Sequence, residues 1–312
     1  MQDLLLALPD AVQTSLPYMA AFLGVWLMFR VYHDFDLTVG GSFTLGGAIT
    51  AIGISRFHMD PWPMLPLASA GGGVAGLCTY ALHRLLQLRV ILASIVVNTA
   101  LASITLVTMG LPDVSIVGQA TIASPLHRIG IGEPFASTIV FGGLTLIVFA
   151  LVAVFLNSQL GLGFRAAGAN PKLARAAGVS PELMLAVALT IANVLCGLSG
   201  SLLVNGQGFA DVNMGASVLI FGITAVLIGG LLIRSTGIGA GLASVVIGSF
   251  VYEYIVSVSF RLGVPPQWFS ALTAAIVAAA LAVSVGVGAG GRARRGLAAT
   301  TSAVVRRLVI RQ

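Results

Sequence analysis

The chain has 312 residues, of which 57% are hydrophobic and only 8% charged. Soluble domains carry roughly 25% charged residues, so 16 basic and 10 acidic side chains cannot coat a soluble fold of this length, and lipid must solvate most of the surface. The net charge of +6 sits in loops between apolar runs, which makes it a marker of membrane orientation and not of nucleic-acid binding.

Asp3 and Asp10 precede the first apolar run and Arg30 follows it, the reverse of a secretory signal. A helix needs about 20 apolar residues to span the hydrocarbon core. About nine runs meet that length: 11–31, 37–57, 63–82, 90–111, 136–156, 183–204, 214–233, 237–257 and 268–290. They are long and do not alternate with period two, so they predict helices and not a barrel. The second run is short and glycine-rich, and either a full or a broken helix fits it. Cys78 and Cys196 lie within apolar runs without metal-ligand spacing and are read as buried apolar residues. Residues 112–135, with Pro112, Pro125 and Pro134, form a long non-helical loop on one side. Residues 157–182 form the longest loop on the other side, and residues 291–312 a basic tail.

An outside N-terminus and nine crossings put the C-terminus in the cytoplasm. The inner segments then hold Arg30, Arg84, Arg89, Arg165, Lys172, Arg175, Arg234, Arg292, Arg294, Arg295, Arg306, Arg307 and Arg311. The outer segments hold only Arg56, Arg128 and Arg261, a strong positive-inside bias. The expected fold is an all-α integral membrane protein, with a permease domain over 1–290 and a basic cytoplasmic tail over 291–312. Membrane lipid is its natural partner.

Asp36-Leu-Thr-Val-Gly-Gly-Ser42 is echoed by Asp211-Val-Asn-Met-Gly-Ala-Ser217, and the two stretches open the second and seventh runs. Thr50 with Gly53 is echoed by Thr224 with Gly229 at a slightly shifted spacing. Five helices separate the copies, and an odd number of crossings inverts the second relative to the first. Inverted repeats with glycine-interrupted segments mark transporter pathways. Ser42, Thr44, Asn213 and Ser217 are therefore expected near a watery path, with Asp36 and Asp211 at the span starts. Asn98, Asn193, Asn205 and Gln207 join them as amides that must face protein or a path; bonding between helices is the commoner role of such groups. Glu253, about one turn from the outer end of its run, is read as an interfacial acid with its carboxylate in water.

In the inner loop, GLGFRAAGANPKLARAAGVSPE, Asn170 is a helix cap and Pro171 the first helical residue. Leu173 and Ala177, with Ala174 beside them, can form an apolar stripe, while Lys172 and Arg175 face elsewhere. Gly178 is a stop. Ser180, Pro181 and Glu182 then open the sixth span.

FRAAGANPKLARAAGVSPE resembles the coupling loop of ABC importer permeases of the branched-chain amino acid and ribose type, and DLTVGGSFTLGGAITA resembles the start of their second helix. LCGLSGSLLVNGQGFADVNMG is closer to one branch, permeases associated with tryptophan and tyrosine. The likeness covers about residues 20–285. The branch usually carries acids where Gly40 stands and near Leu231, and this chain has neither. The resemblance implies that Arg165, Asn170, Pro171, Lys172, Ala174, Arg175 and Gly178 belong to a loop that docks on a separate cytoplasmic ABC ATPase. It also implies an extracytoplasmic substrate-binding protein, a homodimer or a heterodimer with a similar permease, and a small polar solute, amino acids first, as cargo.

The only lysine, Lys172, lacks the glycine-rich loop that cradles phosphates, so ATP must be bound by another chain. No cofactor or metal is implied. His33, His58, His83 and His127 are scattered, which disfavours an enzyme. An ion-coupled secondary transporter is the rival reading, although intramembrane acids and histidines that carry such coupling are scarce.

Overall fold

The computed structural model describes residues 2–130, 132, 135–233, 237–265, 268, 271–280 and 282. The basic tail 291–312, Arg234, Pro134 and the end of the ninth run lie outside the described residues. The chain divides into two units, Met1–Val264 and Pro265–Gln312. The described part of the second is mainly an apolar helix, Ala271–Ala280.

In the first unit, α1 (Gln2–Trp26) runs into a π-helical turn, Leu27–Tyr32. His33 ends that turn at φ 65°. Next come α2 (Thr38–Ser55), α3 (Pro61–Leu86) and α4 (Val90–Met109). The loop expected to be wholly non-helical holds a strand, β1 (Asp113–Ser115), and a single helical turn, α5 (Ser124–Arg128), where Pro125 supplies the fixed φ of a first turn. Then follow α6 (Phe135–Asn157), α7 (Gln159–Ala169), α8 (Pro171–Ala176) and α9 (Pro181–Gln207). The unit closes with β2 (Phe209–Asp211), α10 (Val218–Leu232) and α11 (Ile238–Arg261).

Among the described residues, seven helices are long and apolar enough to cross a membrane, which makes the chain a polytopic all-α membrane protein. The seventh run yields only the 15 residues of α10, because its first residues are spent on turns. The second run is one continuous helix of 18 residues, glycines included.

Helix ends follow the local sequence. Ser158, Asn170 and Ser180 accept hydrogen bonds from the backbone amides of Gly161, Leu173 and Leu183 and so cap α7, α8 and α9. α4 ends at Gly110 with φ 71°, and its last carbonyl, on Met109, takes a 2.6 Å hydrogen bond from the Arg56 guanidinium. β1 and β2 pair antiparallel, Val114 opposite Ala210, and tie the loop after α4 to the end of α9.

α9 is the central post, packed by α1, α2 and α3. It lies parallel to α2. Ser42 bonds Asn193 at 2.6 Å, and eight residues further along both helices Thr50 bonds Ser201 at 2.6 Å. The two backbones touch: a Cβ on Gly46 would strike the Gly197 carbonyl, and one on Gly200 would strike the Phe43 carbonyl. Lipid tails are as apolar as leucine, so association rests on such close packing and on bonds between helices.

Two expectations about burial change. Cys196 is buried in α9 but Cys78 is exposed on α3. Glu253 is only 7% exposed, because α11 packs along α1 and encloses it beside Thr14 and Tyr18.

Candidate functional site

The two echoed stretches meet. Each begins with an aspartate that accepts a hydrogen bond from the backbone amide two residues on: Asp36 from Thr38 at 2.8 Å, and Asp211 from Asn213 at 2.6 Å. Each then brings a glycine to the same contact. A Cβ on Gly40 would sit 2.7 Å from the Gly215 carbonyl oxygen, and one on Gly215 would run into the Gly40 carbonyl. The Gly215 amide donates to Thr44 Oγ1 at 3.1 Å.

Neither helix starts at the bundle surface. Asn193 is twelve residues into α9, roughly 18 Å along it at 1.5 Å per residue. It bonds Asp36 directly, so α2 begins well inside the bundle. Gly215 touches the third residue of α2, so the chain leading to α10 has also turned inward by that point.

Where the two starts meet, a cavity of about 250 Å³ opens between α2, α4 and the turns before α10. Thr44, Asn98 and Asn213 line it, together with Gly40, Leu37 and Leu219. Asn98, half-buried on α4, points its Oδ1 at Gly41 and makes no hydrogen bond among the described residues. No charged residue lines the space among those described. Gly40 has no room for a side chain, because the Gly215 carbonyl already fills the place of its Cβ.

The other polar candidates fall into separate groups. Asp36, Ser42 and Asn193 form one buried cluster: Asn193 donates to Asp36 at 2.6 Å and to the Leu189 carbonyl at 2.8 Å, and accepts from Ser42. Thr38 continues it through a 2.6 Å bond to Thr79 on α3. Every member is held by another helix, so this cluster fastens α2, α3 and α9 and does not line the cavity. Asn205 accepts from the Ile122 amide at 3.2 Å and anchors the loop after α4. Gln207 is exposed and bonds the Phe209 carbonyl at 2.8 Å. Ser217 stands at the N-cap of α10 without a side-chain cap bond.

α8 forms where the residues predict, with Asn170 as cap, Pro171 first, and Gly178 at φ 82° after its end. Its faces differ from expectation. Leu173 is 67% exposed and Ala177 is exposed too, while Ala174 is buried. Lys172 and Arg175 are exposed as well, and Arg175 pairs with Glu182 at the start of α9. Arg165 stands apart on α7, where it lines a second cavity with Arg30. Sequence reasoning missed the contact of Gly40 with Gly215. A shared glycine at matching places of the echo was its one visible signal.

Residues 10–281 match the family described as the branched-chain amino acid transport system permease component. A tyrosine transport system permease protein of Clostridioides difficile is 28% identical over 83% of this chain and 85% of its own length. An uncharacterised protein of Rickettsia prowazekii is 33% identical over 70% of this chain and 75% of its own. A galactofuranose transporter permease of Escherichia coli is 24% identical over 88% of this chain and 78% of its own. No solved structure matches.

Proposed function

The chain belongs to the branched-chain amino acid transport permease family, a multi-pass permease component of ABC transporters in the bacterial inner membrane, and from that premise we propose that it imports a small polar solute, an amino acid first. A separate cytoplasmic ATPase supplies the energy. An extracytoplasmic binding protein delivers the solute, and the permease works as a pair with an identical or similar partner.

The observation that carries this reading is the family match over residues 10–281. The proposed topology has nine crossings, an outside N-terminus and a cytoplasmic C-terminus. The charge asymmetry of the loops supports it, and α10 and the run containing Ala271–Ala280 supply the seventh and ninth crossings. The permease domain then covers 1–290 and the basic tail follows it. The halves form an inverted repeat, and the shared aspartate turn and the paired Gly40 and Gly215 support that relation.

The cavity at the meeting of α2 and α10 is part of the solute path. Freed backbone and two helix starts, each with a partial positive end, suit the carboxylate of an amino acid. Asn98, Thr44 and Asn213 offer the polar contacts. On the cytoplasmic side the loop 159–182 is the coupling loop, with Lys172, Leu173 and Arg175 meeting the ATPase. ATP-driven closure of the ATPase pair pushes α8 and switches access.

The test is solute uptake into sealed vesicles. Uptake should need ATP and a co-expressed ATPase and survive collapse of ion gradients. Uptake by the purified chain alone, driven by an ion gradient, would overturn the reading in favour of a secondary transporter.

A further inference from the structure

The second cavity, of about 330 Å³, lies where α1 ends, α10 ends and α11 begins, with α7 closing one side. Two guanidinium groups face it, from Arg30 on the π-helical turn and Arg165 on α7. Arg30 reaches across to α10, its guanidinium 3.7 Å from where a Cβ on Gly230 would sit. Arg165 makes one long bond, 3.4 Å, to the Gly161 carbonyl. Among the described residues no carboxylate lines the space and neither arginine has an acidic partner. Two cations turned toward one cavity without a counter-charge repel each other unless an anion lies between them.

The backbone adds to the same field. α11 begins at Gly237, which offers no side-chain cap, and Gly237 and Ile238 line the cavity. The first amides of a helix lack partners within it and carry its positive end. Trp26, Val226 and Ile233 form an apolar wall, and His33 and Ser244 add polar groups to the rest of the lining. Trp26 is held in place, because the first turn of α11 packs on its ring at Gly241, where a Cβ would collide with the indole.

We propose that this cavity binds a phosphate group, and that an anionic phospholipid headgroup supplies it. Arg30 and Arg165 take the phosphate oxygens through charge-assisted hydrogen bonds. The apolar wall, at the ends of spanning helices, takes the glycerol and the first acyl carbons. This separates Arg165 from the docking surface of α8. The site would make the lipid a strut between α1, α7, α10 and α11.

Native mass spectrometry of the purified full chain with added phosphatidylglycerol or phosphatidylcholine tests this. The wild type should retain phosphatidylglycerol in preference. The doubly substituted Arg30→Gln, Arg165→Gln chain should retain it roughly thirtyfold less, since each basic residue near anionic lipid contributes about a factor of five. The Arg30→Lys, Arg165→Lys chain should keep most of it. Gly230→Glu, which sets an acid against Arg30, should also lose it and serves if the double variant does not fold. Arg261→Gln, at the far end of α11, should change nothing. Equal retention of both lipids by the wild type, or unchanged retention in both Gly230→Glu and the glutamine variant, would overturn the proposal. Displacement of the lipid by inorganic phosphate would overturn the lipid as the source and keep the phosphate site. No displacement supports the lipid.

Discussion

Replacing Asn193 by leucine removes the one side chain that joins α9 to both Asp36 and Ser42. Three bonds go with it: to Asp36 at 2.6 Å, from Ser42 at 2.6 Å, and to the Leu189 carbonyl at 2.8 Å. At the membrane average of about 0.6 kcal/mol each, they come to roughly 2 kcal/mol. Asp36 keeps the Thr38 amide but faces leucine where it met a donor. A buried acceptor left short of partners costs roughly 1–3 kcal/mol. The expected loss is therefore about 3–5 kcal/mol, or roughly 6–20 °C in melting temperature. Cys196, buried three residues further along α9, supplies the assay. A thiol-reactive dye reaches it only when the interface opens, once the exposed Cys78 is replaced by alanine. The exchange Asp36→Asn with Asn193→Asp keeps both groups in swapped positions and should recover more stability than the single changes predict together. A melt of Asn193→Leu equal to its parent, or an exchange that recovers nothing, would refute the role of this cluster as a fastener.

The crossing at Gly215 gives a second test. Gly215→Val should lower the same melt by about 1–3 kcal/mol or more, while Gly143→Leu, at a position with nothing within 4 Å, should leave it unchanged; equal effects at the two sites would refute the close contact. On α8, Leu173→Asp and Arg175→Glu should weaken co-purification of the ATPase with little change in stability, since the pair with Glu182 is exposed and screened by water and salt. Ala174→Asp should instead loosen α8 itself, because that methyl is 2% exposed; a docking loss confined to Ala174→Asp would refute this assignment of faces.

The amino-acid sequence by itself determined the solvent, the helical class and most of the spans, because each depends on composition and on runs long enough to cross lipid. It also placed α8, since Asn170, Pro171 and Gly178 act through backbone geometry within a few residues. The echo of Asp36–Ser42 in Asp211–Ser217 was legible as a pattern of letters. Only the tertiary structure decided what the pattern does. It separated Asp36, Ser42 and Asn193, locked between helices, from Asn98, Thr44 and Asn213, which border open space. It turned Ala174 inward and Leu173 outward, and it buried Glu253. Helical periodicity says which residues share a face. Which face meets a neighbour depends on packing between segments distant in the chain, and no local pattern carries that.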